Sequence, residues 1–308
     1  MYKTFEMKKI VFIAFSLLAF QLFSQTNAIE WEDYGFELQK KELHKEAIVA
    51  FSNAISMRPS EFSYGGRALS YENIDDYENA LHDYSMALSY NPNSIFLLSS
   101  RGRVYGELGK GAEGLNDLNK ALALDTNNTE VLLNKVIILY SLMSKPLEAK
   151  NIVEHVIQQD STIALAYYHK GKILGEYYSD LDGAISAFDK AIEIDNSQSL
   201  YFQMRARAKR LNGDIEGALK DYSQSIFLYP PDYELYNERG LIYVAKQDYK
   251  NAYQDFDKSV QLNDSYSEAY QNRGVVKFYL SKNGCEDLKK AKELGHPKAQ
   301  AAINELCR

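Results

Sequence analysis

The chain has 308 residues, with 35 Lys and Arg against 42 Asp and Glu, so its formal net charge is −7 at pH 7. A hydrophobic fraction of 45% and a charged fraction of 25% exclude a disordered chain, and two cysteines exclude a disulfide-dense scaffold. The acidic balance argues against a nucleic-acid partner, because phosphate contacts need a basic footprint. Tyr occurs 24 times and Trp once, which indicates a repeated aromatic packing position.

The N-terminal segment has the pattern of a secretory signal peptide. Lys8 and Lys9 precede the apolar run 10–20, and small polar residues begin at Ser24. This run is shorter than the roughly 20 residues that a membrane-spanning helix needs. We therefore predict a signal peptide over residues 1–24, and an uncleaved anchor helix is the alternative.

The start and the end of this signal are each open to two assignments. The chain starts at Met1 or at Met7, and cleavage is expected after Ser24 or as late as Ala28. No later stretch is apolar enough for an integral membrane span after signal removal. The mature protein is expected in an exported compartment, periplasmic or secreted, of the bacterial envelope type. Two cysteines in such an oxidising place favour a disulfide over a metal site.

A period of 33 to 35 residues follows Trp31. A first-helix position that is small in all units but one carries Gly35, Ala68, Gly102, Val136, Gly171, Ala206, Gly240 and Gly274. A second-helix position, four residues after another small residue, carries Phe51, Tyr84, Leu118, Val153, Phe188, Tyr222, Phe256 and Leu288. Small residues let two helices approach closely, and the larger side chain fills the space beside them.

The first unit resembles a tetratricopeptide repeat at nearly every position that marks the family, Trp31-x2-Tyr34-Gly35-x2-Leu38, Ala47-x3-Phe51 and Pro59. The resemblance implies an all-α, right-handed superhelical solenoid of helix-turn-helix units, in which neighbouring units bury each other's apolar faces. Eight units are predicted, over residues 28–60, 61–94, 95–128, 129–163, 164–198, 199–232, 233–266 and 267–294.

A capping helix is predicted over residues 295–308, since a terminal repeat needs a polar-faced cap. Cys285 and Cys307 lie at equal distances from a hairpin centre near His296. Residues placed so in an antiparallel hairpin lie side by side, which favours a Cys285–Cys307 disulfide as a structural staple. A redox switch and an intermolecular link are the alternatives.

No pattern typical of catalysis or cofactor binding stands out. The five histidines lack the spacing of metal ligands, and phosphate-loop, dinucleotide and nucleophile motifs are missing. The acidic pair Asp75-Asp76 is better explained as charges in a turn than as an acid–base pair. We therefore expect no catalytic residue, metal or cofactor.

Opposite charges recur with the period. A basic residue precedes the small first-helix position in seven units, as Arg67, Arg101, Lys135, Lys170, Arg205, Arg239 and Arg273. An aspartate precedes the large second-helix position in five, as Asp83, Asp117, Asp221, Asp255 and Asp287. Ion pairing between the two helices is the favoured interpretation, and ligand binding is the alternative.

The family resemblance also implies a concave groove lined by the second, fifth, ninth and twelfth places of each first helix. The candidate peptide-binding residues on these places are Arg103, Tyr140, Tyr168, Lys172, Arg207, Arg210, Asn237 and Phe278. Apolar anchors beside basic side chains suit a protein or peptide ligand with acidic residues. Ordinary solvated helix faces are the alternative.

The expected function is a non-catalytic scaffold or adaptor that binds a partner in this groove. A structural or self-assembling envelope component is the alternative. The co-chaperone subtype of the family clamps a terminal carboxylate with Lys and Asn on first-helix places. Here Glu32 and Phe36 occupy such places in the first unit, which argues against that subtype.

Overall fold

A computed structural model of the chain describes residues 27–307, and the predicted signal peptide lies outside them. All regular elements in this part are α-helices, which confirms the predicted all-α class. Eight helix pairs are followed by one further helix: α1 27–40 and α2 His44–Met57, α3 Glu61–Glu72 and α4 Tyr77–Tyr90, α5 Ile95–Glu107 and α6 Gly111–Leu124, α7 Thr129–Ser141 and α8 Pro146–Gln159, α9 Ala164–Tyr177 and α10 Leu181–Ile194, α11 Ser199–Leu211 and α12 Ile215–Leu228, α13 Tyr233–Ala245 and α14 Tyr249–Leu262, α15 Ser267–Tyr279 and α16 Cys285–Glu293, and α17 Ala299–Leu306.

The turn inside each helix pair has the same backbone conformation at one position. One residue takes the left-handed conformation, with φ between 51° and 86°, at Glu42, Asp75, Gly109, Ser144, Ser179, Gly213, Gln247 and Ser281. An aspartate then caps the second helix in four pairs, where the side chains of Asp76, Asp180, Asp214 and Asp248 accept a backbone N–H bond. Asp75 and Asp76 are thus a turn residue and a helix cap.

The chain divides into two compact parts, each of which contains several of the predicted repeats. We name them unit 1, up to Ile152, and unit 2, from Val153. In unit 1 the ring of Phe51 packs against Gly35, where an added Cβ atom would lie 2.7 Å from the ring. In unit 2 the ring of Phe188 packs against Gly171, where the same distance is 2.6 Å. The period therefore records a contact between the two helices of a pair.

The last hairpin of unit 2 holds the two cysteines together. Cys285 at the start of α16 is disulfide-bonded to Cys307, which directly follows α17. Their Cα atoms lie 5.7 Å apart, within the usual range for a disulfide. The bond ties the two ends of the hairpin, as the structural staple requires.

Between residues 27 and 307, every helix falls short of the length and apolar character that crossing a bilayer requires.

Candidate functional site

The repeated arginines bind the aspartates of the paired helix. Their Nε and Nη2 atoms donate to both carboxylate oxygens at 2.6 to 3.0 Å, in the pairs Arg67–Asp83, Arg101–Asp117, Arg205–Asp221, Arg239–Asp255 and Arg273–Asp287. All five aspartates are buried. Burial raises the pKa of Asp255, and the guanidinium of Arg239 opposes this rise. The favoured interpretation of these charges, ion pairing between helices, is confirmed.

Each of these arginines also reaches back to the preceding helix pair. Nη1 donates at 2.6 to 3.3 Å to the second helix of that pair, at Ser52, Ser85, Asp189, Ser223 and Asp257 in chain order. Lys135 and Lys170 make the equivalent contacts with Asn119 and Glu154. One guanidinium therefore joins three helices, and these cations serve the stacking of pairs and are not free to bind a ligand.

In unit 1, the predicted groove residue Arg103 is neutralised by an ion pair with a carboxylate. Arg103 on α5 forms an ion pair with the buried carboxylate of Glu72 on α3. Glu72 also accepts a hydrogen bond from the Tyr84 hydroxyl at 2.9 Å, and burial raises the pKa of Glu72. A cavity of about 290 Å³ beside this pair is lined by further carboxylates, those of Asp75 and Glu107. This face offers little to an acidic ligand.

Three predicted groove residues are buried in the helix packing. Tyr140 on α7 and Tyr168 on α9 are each less than a tenth exposed. Asn237 on α13 is fully buried, and its Oδ1 atom accepts a 2.9 Å hydrogen bond from Asn272 on α15. Phe278 on α15 is half-buried and packs beside Gly284. Tyr140, Tyr168 and Asn237 therefore contribute to the packing of the helices and offer little accessible surface to a ligand.

The inner face of unit 2 brings Lys172 and Arg207 to one cavity. Lys172 on α9 pairs with Glu176 one turn later at 3.7 Å. Arg207 on α11 is exposed and forms no ion pair with any residue between 27 and 307. On the same helix, Nε of the half-buried Arg210 finds no hydrogen-bond partner in the described part of the chain. Unit 2 thus presents the exposed guanidinium of Arg207, which an external carboxylate can bind.

The cavity itself is a feature that sequence reasoning missed. It has a volume of about 260 Å³ and lies between α9, α10 and α11. Its apolar lining comes from Leu181, Phe188, Met204 and Leu211. The signal that could have revealed it is the absence of side-chain volume at Gly175 and Ala208, which belong to different helix pairs.

His169 lies near this cavity on α9 and is neutral at pH 7. Burial, with some repulsion from Lys172, lowers its pKa to about 4. Its ring meets the ring of Tyr168 edge-on, with centroids 5.1 Å apart. His169 does not itself line the cavity, and the lining residues include no Ser, Thr or Cys. Residues 27–307 contain no cluster of His, Cys, Asp and Glu able to hold a metal ion.

Comparison with known proteins is consistent with this architecture. The family model of the tetratricopeptide repeat matches residues 233–266. A TPR repeat-containing protein, MJ1428 of Methanocaldococcus jannaschii, is 24% identical over 276 residues, which cover 72% of this chain and 48% of that protein. The chain therefore spans about half the length of this curated relative.

Two solved structures share the fold. A tetratricopeptide repeat protein from Parabacteroides merdae has a TM-score of 0.64 at 19% identity, covering 82% of this chain and 99% of that one. The pilF protein of Pseudomonas aeruginosa has a TM-score of 0.56 at 17% identity, covering 73% of this chain and 98% of that one.

Proposed function

Because the chain is a tetratricopeptide repeat protein, we propose that it is a non-catalytic scaffold whose unit 2 binds a protein or peptide partner. Proteins of this family generally act as protein-interaction scaffolds. The observation that carries the proposal is the exposed Arg207, without an ion pair in the described residues, at the rim of an apolar cavity.

The partner is a protein or peptide segment with acidic residues. A guanidinium binds a carboxylate through two parallel hydrogen bonds, which gives both affinity and orientation. Arg207 and Arg210 lie three positions apart on α11, about one helical turn. They can contact two carboxylates of one segment, or one carboxylate and a backbone carbonyl. The bidentate Arg–Asp pairs elsewhere in the chain have their carboxylates already and cannot take this role.

The protein works in an exported compartment, periplasmic or secreted. The basic start and the short apolar run of residues 8–20 support this, as does the Cys285–Cys307 disulfide, a bond that persists in oxidising environments. Intact-mass measurement of the protein purified from its native host tests it. We expect the mass of a chain that begins after Ser24 or Ala28 and has no free thiol. The mass of an uncleaved chain with two free thiols would contradict the proposed location.

Cross-linked affinity capture tests the binding function. The bait is the mature protein from Gln25 onward, beside the double variant Arg207→Glu, Arg210→Glu. The matched control is Lys250→Glu, Lys258→Glu on α14, which makes the same charge change at two exposed lysines. A partner captured by the wild type and by the control, but lost with the α11 variant, is the expected result. Equal capture by all three proteins would refute the proposal.

A self-assembling envelope component is the second candidate. Large apolar side chains are exposed in both units, such as Phe62, 64% exposed, in unit 1 and Phe227, 77% exposed, in unit 2. Exposed apolar surface of this kind marks interaction sites. Recovery of only the protein itself in the capture experiment would favour this candidate.

A further inference from the structure

We propose that the cavity of unit 2 is a pocket for one large apolar side chain of an acidic peptide. This inference rests on the proposed function and deepens it, because it names the feature that the partner must carry beside its carboxylates. The pocket and the Arg207 guanidinium share one rim, so a single short segment reaches both.

The pocket forms because the residues at the place where two neighbouring helix pairs meet, Gly175 and Ala208, are small. The twelfth place of one first helix faces the tenth place of the next. In unit 1 these places are Gly106 and Ile138, and a Cβ atom added to Gly106 would lie 3.3 Å from Cγ1 of Ile138. In unit 2 they are Gly175 and Ala208. A Cβ atom added to Gly175 would meet only Cβ of Ala184 within 4 Å, at 3.4 Å.

No other junction in the sequence combines two such small residues. The remaining pairs of places inside the two units are Gln39 with Ser70, Glu72 with Val104, Arg210 with Ile242, and Val244 with Val276. Each of them contains at least one side chain larger than a methyl group. The space beside Gly175 is therefore a local departure from the repeat.

The volume of the pocket selects its occupant. Drug-sized ligands occupy pockets of roughly 300–1,000 Å³, and this one has about 260 Å³. Its floor is the ring of Phe188, which is itself buried, and Met204 on its wall adapts easily to different shapes. Such a space fits one aliphatic or aromatic side chain of a longer ligand, such as Leu, Ile, Met or Phe.

The charges on the rim select the rest of the ligand. Lys172 and Glu176 neutralise each other, so the net charge at the rim comes from Arg207. A basic segment would meet this guanidinium with repulsion, whereas a carboxylate next to the inserted side chain gains a charge-assisted hydrogen bond. An acidic peptide with one apolar anchor satisfies both the floor and the rim.

The structure also provides a conservative way to close the pocket. The substitution Ala208→Ile introduces the side chain that unit 1 carries at the equivalent place, Ile138. The matched control is Ala123→Ile, which adds the same atoms at an exposed position of α6. Circular dichroism and thermal unfolding verify that both variants fold.

The test begins with a phage-displayed library of random dodecapeptides, panned on the mature protein. Peptides that are enriched are synthesised, and their dissociation constants are measured by fluorescence anisotropy. We expect Asp or Glu beside one Leu, Ile, Met or Phe. Replacing this apolar residue with Ala should weaken binding roughly 10- to 150-fold, the range for burying one large apolar side chain.

Ala208→Ile should weaken binding by a similar factor, and Ala123→Ile should leave it unchanged. The peptide replacement and Ala208→Ile should not multiply when combined, because both remove the same contact. Peptides that bind Ala208→Ile as tightly as the wild type, but lose binding to Arg207→Glu, Arg210→Glu, would overturn the pocket and leave the proposed function intact. Absence of any enriched peptide, or equal binding to the charge-reversed variant, would contradict the proposed function and the pocket with it.

Discussion

In unit 1 the space beside Gly106 is filled by Ile138, whereas in unit 2 the space beside Gly175 faces the methyl group of Ala208 and stays open. The cations differ in the same way. Arg103 in unit 1 is paired with the buried Glu72, and Arg207 in unit 2 has no ion pair among the described residues. The two units share one kind of helix pair. Side-chain volume and ion partners at a few places therefore decide where a ligand can bind.

The largest effect is expected from opening the closed space of unit 1. Ile138 is almost fully buried and packs against three glycines of the preceding pair, Gly106, Gly111 and Gly114. Ile138→Ala should lower the free energy of unfolding by about 4 kcal/mol, because glycines cannot move side chains into the cavity. Urea denaturation followed by circular dichroism measures this. Ile137→Ala, at the neighbouring half-buried residue, is the control with the smaller expected loss; equal losses would show that Ile138 does not fill a specific space.

A somewhat smaller loss of stability is expected when an aspartate of an ion pair is removed. The size of this loss should depend on which of the two aspartates bound by one guanidinium is replaced. Arg205 binds the buried Asp221 of its own pair and the exposed Asp189 of the preceding pair. Asp221→Ala should cost about 3 kcal/mol, because it leaves the partly buried Lys209 without a carboxylate and leaves Arg205 with only the exposed Asp189.

Asp189→Ala should cost less than about 1 kcal/mol, since this carboxylate is largely in water. Chemical denaturation of both variants measures the ratio. Equal costs would mean that the contact between pairs matters as much as the contact within one.

The third prediction concerns pH. Burial lowers the pKa of His169 to about 4, below the value of about 6.5 in an unfolded chain. The folded state then binds fewer protons than the unfolded state, so this stability is present above pH 6.5 and is lost as the pH falls towards 4. Between pH 7 and pH 5 the loss should be about 2 kcal/mol.

His169→Asn should remove this part of the pH dependence, and Asn already occupies the equivalent place at Asn134 and Asn272. Thermal unfolding at each pH measures it. The control is His82→Asn in unit 1, at a side chain that folding leaves exposed. If the slope of stability against pH is the same in His169→Asn as in the wild type, then His169 binds its proton equally well in the folded and the unfolded protein, which would contradict the prediction.

The last prediction reverses the first, because it fills a space where Ile138→Ala opens one. Ala208→Ile fills the open space of unit 2 and should stabilise the protein by about 1 kcal/mol, as cavity-filling substitutions commonly do. Differential scanning calorimetry measures the shift in melting temperature. A loss of stability would show that the pocket is too narrow for the side chain that unit 1 accommodates.

The helix pairs could be predicted from the sequence because the period reports a direct contact, such as that of Gly171 with the Phe188 ring. The Arg–Asp pairs could be predicted because the aspartate follows the arginine by 16 residues in four of the five pairs, and by 14 in Arg273–Asp287. The pocket could not, because it depends on Gly175 and Ala208, which lie 33 positions apart and are informative only when two pairs are packed together. The burial of Tyr168 could not be predicted for the same reason, since the pattern of a single helix does not show that Tyr201 of the next pair packs against it.

Methionine-methyl NMR tests the central claim most directly, namely that unit 2 binds the ligand through this pocket. The mature protein from Gln25 has three methionines in unit 1, Met57, Met86 and Met143, and one in unit 2, Met204, which lines the pocket. The protein, labelled with ¹³C-methyl methionine, is titrated with a peptide from the panning experiment and with its analogue in which alanine replaces the apolar residue. The account predicts that the Met204 signal shifts with the peptide and not with the analogue, while the unit 1 signals stay in place. A bound peptide that shifts the unit 1 methionines and leaves Met204 unmoved would contradict it.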